Sequence, residues 1–398
     1  MYLTEQYHLY RLANRLVSDD GFEVIYMNER RNELWLEKYE NRISKVIRLI
    51  HKGFDWKNHL KSDIAQVFQR TKAMKRFFIS NRIEIYNVYV STHEPVDDWD
   101  KLKRPLQLKE RKPLKMKVFY LSKDHHVEEE KRLLKHIDSS FPYDKHDFNF
   151  NIETEQAVEQ YKYNLTSALK TRQDQLKNVF AFGKPRFIYF LIIVNVLMFI
   201  MLEINGGSVN IDNLIESGAK YNPAIMEGEW WRIISSMFLH IGFLHLFMNM
   251  LALYYLGMAV ESIYGSKRFL IVYFLSGIGG GLTSFAFNDM VAAGASGALF
   301  GLFGALLYFG TVQKRLFKQT MGKNLLLILA INLVFGFLVP QIDMGAHLGG
   351  LIMGFVAAGV TSVPNVKNRR KQLFYTVIYV IGTIFLVWYG IIQNLHYL

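Results

Sequence analysis

The chain has no cysteine in its 398 residues. That absence removes disulfides, thiolate nucleophiles and zinc–thiolate sites from consideration. The first stretch, Met1 to Arg15, has acidic and polar residues but no apolar core run, so it does not read as a signal peptide. Basic side chains outnumber acidic ones, 47 against 35, for a formal net charge of +12. No compact basic–aromatic motif accompanies that excess, and nucleic acid is not the expected partner. A basic integral membrane protein explains the charge, because lysine and arginine collect on the cytoplasmic side of a bilayer.

What is present is unevenly spread. Hydrophobic residues make up 51% of the chain, but the average hides two parts. Residues 1–186 mix charged and apolar positions, whereas 187–398 are apolar runs broken by short loops. The expected organisation is a cytosolic α+β domain over 1–178, a linker at 179–186, a helical membrane core over 187–362, and a seventh span with the C-terminus over 363–398.

In the first part the patterning predicts a helix over 3–17 and strands near 22–27, 33–39, 43–50, 83–90 and 114–121. Asp55 is the expected cap of a helix running to about Phe78. Further helices are expected over 127–137 and 156–178. Between Pro95 and Pro113 lies a dense basic set, Lys101, Lys103, Arg104, Lys109, Arg111 and Lys112. It reads as a solvated loop, with contact to anionic lipid the alternative. One helix, three strands, a helix and a strand is also the order of restriction-endonuclease-like folds. Their chemistry needs an acidic residue and a Glu-x-Lys pair on neighbouring strands. Lys45 stands on the third strand, but Ile43 occupies the glutamate's place, so any such fold is expected to be catalytically empty. His125-His126 followed by Glu128-Glu129-Glu130 has metal-ligand residue types but reads first as an exposed helix start. A cytosolic partner of this domain is expected, of a kind no motif identifies.

Seven segments in the second part approach the length of a membrane span: about 187–204, 243–263, 269–287, 295–311, 325–339, 346–360 and 373–392. The loops set an orientation. Lys184 and Arg186, then Lys267 and Arg268, then Lys314, Arg315, Lys318 and Lys323, then Lys367, Arg369, Arg370 and Lys371 make every second loop basic. The alternate loops hold Asp212, Glu216, Glu227, Glu229, Asp289 and Asp343, with only Lys220 and Arg232 positive. This places the N-terminus in the cytoplasm and the C-terminus outside.

The fourth of these spans opens with a serine, Ser296, followed by Gly297, Gly301 and Gly304 at helix-face spacing. The sixth carries His347, Gly350 and Gly354 on one face. Small-residue faces let two membrane helices approach closely. Their packing would bring a hydroxyl to an imidazole at similar depth near the outer face, where water can reach them. Serine is a weak nucleophile until a base takes its proton, and His347 is the candidate base. Oxyanion donors are offered by His245, Asn249 and the backbone at the start of the fourth span. Asp343 lies four residues before His347 in a loop, so a dyad is the simpler reading. Phe300, one turn after Ser296, is placed to stack on the imidazole.

As a set, Gly294-Ala-Ser296-Gly, Ala346-His347 with Gly350 and Gly354, His240…His245…Asn249 and Glu229-Trp-Trp-Arg232 resemble the rhomboid family of intramembrane serine proteases. The likeness covers roughly residues 187–362 in order, spacing and topology. It implies a six-helix core, a Ser–His dyad, no cofactor and no metal. It further implies cleavage of single-span membrane proteins near the outer face of the cell membrane. Carried over by position, Ser296 is the nucleophile, His347 the base, His245 and Asn249 the oxyanion donors, and His240 a supporting residue. Arg232 and Glu261 are implied to be structural. The front domain and seventh span resemble the larger rhomboids of Gram-positive bacteria. Phe300 stands where some relatives have tyrosine, which keeps a stack but loses a hydroxyl. A silent scaffold that binds membrane-protein helices is the competing reading. A transporter is the third, weakened by the lack of matched interrupted repeats.

Overall fold

The computed structural model describes the chain except residues 1, 76, 77, 79, 111, 140–153, 340, 341, 367 and 398. Arg111 and Lys367, counted above in basic loops, lie outside the described residues. Two compact units separate at 175/176.

The first unit is α+β. It holds α1 (Tyr2–Ser18), β1 (Glu23–Asn28), β2 (Glu33–Glu40), β3 (Ile43–His51), α2 (Lys57–Met74), β4 (Arg82–Val90), β5 (Leu106–Leu108), β6 (Leu114–Leu121) and α3 (His126–Ile137). A long helix, α4 (Thr154–Phe180), starts in this unit. The sheet order is β1-β2-β3-β4-β6-β5. β1, β2 and β3 run antiparallel, while β3, β4 and β6 run parallel. Asn41 and Arg42 join β2 to β3 with φ of 50° and 65°, the backbone a two-residue hairpin of matching twist requires. Side chains alternate between faces. Leu34, Leu36, Ile47, Leu49 and Val88 pack against Leu9 and Leu12 of α1 and Leu133 of α3. Trp35, Val46, Ile83 and Ile85 pack against Leu60, Ile64 and Val67 of α2.

Three expectations need correction here. Asp55 does not cap α2. That helix starts after Trp56, ends at Met74, and its first N–H, from Lys57, donates to Asp97 Oδ1 at 3.0 Å. The cap comes from forty residues downstream, beyond what local spacing shows. The stretch 95–113 is not all loop: it contains a 3₁₀ turn at Asp100–Lys103 and the edge strand β5. The histidine–glutamate cluster is split by helix geometry. His125 and Glu128 lie at the surface, but His126 and Glu130 are buried, and Glu130 receives Arg11 at 3.0 and 3.1 Å. Lys45 is engaged in packing, donating to the Ile137 carbonyl at 2.8 Å and to Asp138 at 2.9 Å.

The second unit is helical. After α5 (Phe187–Ile204) come short helices α6 (Ile211–Glu216), α7 (Asn222–Met226) and α8 (Arg232–Ser235). Then α9 (Gly242–Ala252) runs through a π-helical turn at Leu253–Gly257 into α10 (Met258–Tyr264). There follow α11 (Ser266–Phe287), α12 (Ser296–Val312), α13 (Lys314–Thr320), α14 (Gly322–Leu338), α15 (Met344–Thr361) and α16 (Arg369–Gln393). Among the described residues five segments are long and apolar enough to cross a membrane, with α9–α10 counted as one. The α13–α14 pair, bent by 72°, makes a sixth candidate. α12 is apolar but has only 17 residues. It is the centre of the unit, packed by α11 and α15, and 12 of its 17 residues are buried.

The start of α5 is held by a carboxylate. Glu261 of α10, fully buried, accepts the backbone N–H groups of Arg186, Phe187 and Ile188 at 3.0, 3.2 and 3.1 Å, and the Ser266 hydroxyl at 2.6 Å. Donors left open at a helix start are thereby satisfied. α16 lies against α11 and α15, with the Tyr379 hydroxyl donating to the Leu275 carbonyl at 3.0 Å.

Candidate active site

The site is made where α12 and α15 run side by side with almost no side chain between them. A Cβ placed on Gly350 would sit 2.0 Å from the Gly297 carbonyl oxygen. One on Gly354 would sit 2.3 Å from Gly301 Cα, and one on Gly304 2.2 Å from the Leu351 carbonyl. The matches 297/350 and 301/354 advance together, and Gly304 also meets Gly354 and Phe355, so the two helices are parallel and start at the same end of the bundle. Gly280 of α11 completes the junction: its Cβ would meet the Ala346 carbonyl at 2.7 Å and Gly297 Cα at 3.3 Å.

Ser296 and His347 flank this crossing, one residue before Gly297 and three before Gly350. The Phe300 ring lies stacked on the His347 imidazole, centroids 4.1 Å apart and planes at 15°. His347 is buried, with Nδ1 near Gly336 of α14 and without a hydrogen-bond partner. Among the described residues no hydrogen bond joins Ser296 to His347, and such contacts are often long before substrate is bound. Asp343 is turned to other duties. As the cap of α15 it accepts the Ala346 N–H at 3.0 Å, and its second oxygen takes the Ser284 hydroxyl.

On the other side of Ser296 stands α9. Gly294, with φ of +143°, has the His245 ring where a side chain would begin: Cε1 and Nε2 are 2.8 and 3.0 Å from that point. Only glycine fits both that backbone conformation and that ring. The Asn249 amide donates to the His245 carbonyl one turn back at 2.9 Å, and its oxygen is buried without a partner. His240 is fully buried, packs edge-on against His245 at 5.3 Å, and its Nε2 accepts the Ala295 N–H at 3.4 Å. A cavity of about 50 Å³ lies beside Ser296, bordered by Lys220, Ser236, Ser284, Asp343 and Ala346 among others. That is room for a few waters among polar partners.

A sequence profile of the Rhomboid domain matches residues 227–364. The chain is 35% identical to "Rhomboid protease GluP" of Bacillus subtilis (strain 168) over 400 residues, spanning 100% of this chain and 76% of that protein. It belongs to the rhomboid family of intramembrane serine proteases. Similarity extends to "RHOMBOID-like protein 5" of Arabidopsis thaliana, 42% identical over 151 residues, 37% of this chain and 48% of that protein. "RHOMBOID-like protein 2" of the same plant is 34% identical over 183 residues, 42% and 57% of the two chains.

Within this rhomboid, the structure collects Ser296, Phe300, His347, His245, His240, Gly297, Gly301, Gly350 and Gly354 around one junction, with Asn249 a turn from His245. Arg232 and Glu261 are not part of it. Arg232 pairs with Glu229 at 2.5 Å and donates to the Ile215 and Ala219 carbonyls at 2.6 and 3.1 Å, pinning the loop that follows α5. Glu261 sits at the start of α5. Among the described residues no group of three or more His, Cys, Asp or Glu is placed to hold a metal. Sequence reasoning missed Lys220, which borders the cavity, and Asn222 and Asn394, all three of them buried. It also passed over the run Gly277–Gly281 of α11, whose glycine density was the available signal.

Proposed function

We propose that Ser296 attacks the scissile carbonyl of a membrane-embedded substrate while His347 takes its proton at Nε2 and later gives it to the leaving amine. The observation that carries this reading is the parallel glycine crossing of α12 and α15, which sets serine and histidine on facing turns with Phe300 stacked on the imidazole. Because Asp343 caps α15 and receives Ser284, the pair works as a dyad. The developing oxyanion is met by the His245 ring beside Gly294, by the Asn249 amide, and by the open N–H groups at the start of α12, whose dipole favours negative charge.

The substrates are single-span membrane proteins cut near the outer face. The alternating basic loops support this, since they put the N-terminus and the front domain, 1–178, in the cytoplasm and the C-terminus outside. The starts of α12 and α15 then lie toward the exterior. The test uses the full chain in detergent with a single-span substrate. Ser296→Ala and His347→Ala are each expected to lower cleavage by about 10³-fold or more, and Ser296→Ala to abolish labelling by a fluorophosphonate. Unchanged cleavage by Ser296→Ala overturns the assignment.

A further inference from the structure

The segment that delivers Ser296, residues 288–295, is not helical, and it is gripped from one side by a lysine. Lys220 is 1% exposed. Its ammonium donates to the Asn288 carbonyl and, at 3.1 Å, to the Met290 carbonyl. Its own backbone pairs with Ala292 in both directions, at 2.9 and 3.0 Å. Two residues on, the Gly294 N–H donates to the Ser236 carbonyl at 2.9 Å. Behind the lysine, Asn222 of α7 donates to the Asn288 carbonyl at 3.3 Å and to Asn394, just past α16, at 2.8 Å. Asn394 donates in turn to the Phe285 carbonyl at 3.0 Å.

Enclosing a cation is costly, and an uncharged side chain would avoid that cost. A loop tie alone does not call for a charge. What a charge adds is a stronger hold on carbonyl oxygens than a neutral donor gives. Lys220 also borders the cavity that Ser296 borders, so a slack segment at 288–295 moves the hydroxyl directly.

We propose that Lys220 is a positioning residue for the nucleophile: its ammonium clamps two carbonyls of the segment 288–295 and thereby holds Ser296 in attacking position. This rests on Ser296 being the nucleophile. The charged groups that face the ammonium are Asp289, on the segment itself, and Asp343, at the start of α15. The other polar groups around it, Asn222 of α7, Ser236 after α8 and Ser284 of α11, carry no charge. Burial lowers the lysine to about 8, with Asp343 and Asp289 opposing. The clamp is therefore charged at neutral pH and weakens as pH rises through that value, when only neutral N–H donors remain.

The test measures kcat, KM and fluorophosphonate labelling of the full chain in detergent from pH 6 to 10, with a melt of each variant. Lys220→Met is expected to lower kcat and labelling together by about 10–100-fold while KM stays within about twofold, as displacement of a reacting group does. Lys220→Arg keeps charge and donors; it is expected to retain kcat near neutral pH and to lose the alkaline decline that the wild type shows. Wild-type kcat in Lys220→Met, or an unchanged alkaline decline in Lys220→Arg, overturns the clamp. Should Lys220→Met fail to fold, the Lys220→Arg profile decides. Ser296→Ala runs alongside: if it still cleaves, the nucleophile assignment fails, whereas a Ser296-dependent activity indifferent to Lys220 sinks the clamp alone.

Discussion

Replacing Gly350 with alanine is the sharpest trial of the helix crossing. The new Cβ would lie 2.0 Å from the Gly297 carbonyl oxygen, 2.8 Å from its carbon and 3.1 Å from its Cα. All three are backbone atoms, so no rotamer change relieves the clash. An ordinary contact needs about 3.5 Å, so α12 and α15 must part by about 1.5 Å at this point. Overpacking of that kind costs about 1–3 kcal/mol of stability. The catalytic loss should be larger in effect. A reacting group displaced by about 1 Å forfeits about 10²-fold in rate, and here serine and histidine sit on opposite sides of the forced gap. Gly382→Ala in α16 is the control, since its Cβ meets only Met353 at 3.6 and 3.7 Å, ordinary contact. Cleavage of a single-span substrate by detergent-purified variants, with melts beside it, gives the answer. We expect Gly350→Ala to fold with a lowered midpoint and a kcat down about 10²-fold, and Gly382→Ala to match wild type. If Gly350→Ala cleaves within about twofold of wild type, the two helices are not fixed at this separation and the proposed pairing of Ser296 with His347 does not depend on their crossing.

Three further outcomes follow from particular contacts. Phe300→Leu removes the ring stacked on His347, a contact worth about 0.5–1.5 kcal/mol, and should lower kcat/KM by about 2–10-fold, while Phe300→Tyr keeps the stack and stays near wild type. Glu261→Gln removes the charge that receives three N–H groups at the start of α5; a melt should show about 1–3 kcal/mol lost, with kcat of the folded fraction unchanged because Ser296 lies a whole length of α11 away. In the first unit, burial lowers His8 to about 4 and His126 to about 3. Both remain neutral in the fold but take up protons near 6.5 when unfolded, so their contribution is present above that pH and is lost as pH falls toward 4. Hydrogen exchange in α1 and α3 at pH 5 should report a loss of about 2 kcal/mol per histidine relative to pH 7.5, and equal protection at both pH values would contradict the burial of this pair.

The junction was legible because its determinants repeat along the sequence. Glycines three and four residues apart mark a helix face wherever the helix sits, and a serine or histidine at the same end of two such faces is a local pattern. The sheet was legible for a similar reason: β2, β3, β4 and β6 alternate or run apolar, and turn residues bound them. What escaped was non-local. Asp97 caps α2 from across the unit, and no spacing rule links it to Lys57. β5 is three residues long and pairs at an edge, too short to announce itself. Lys220 reads in sequence as one of two positive charges in the acidic loops, and a loop lysine is normally solvated. Only the return of residues 288–292 over it encloses the ammonium. Asn222 and Asn394 meet across 172 positions, which leaves no trace in either neighbourhood.

The brevity of α12 has its own consequence. Seventeen residues rise about 25 Å, roughly 5 Å less than the oily interior of a typical bilayer. A lone helix so stunted would have to thin the lipid around it or tilt its neighbours. This one touches protein on nearly every side, so acyl chains have no purchase on it and no mismatch arises. Turnover should therefore vary little when the enzyme is moved between thin and thick lipid bilayers, as long as the outer ring of helices adapts on its behalf.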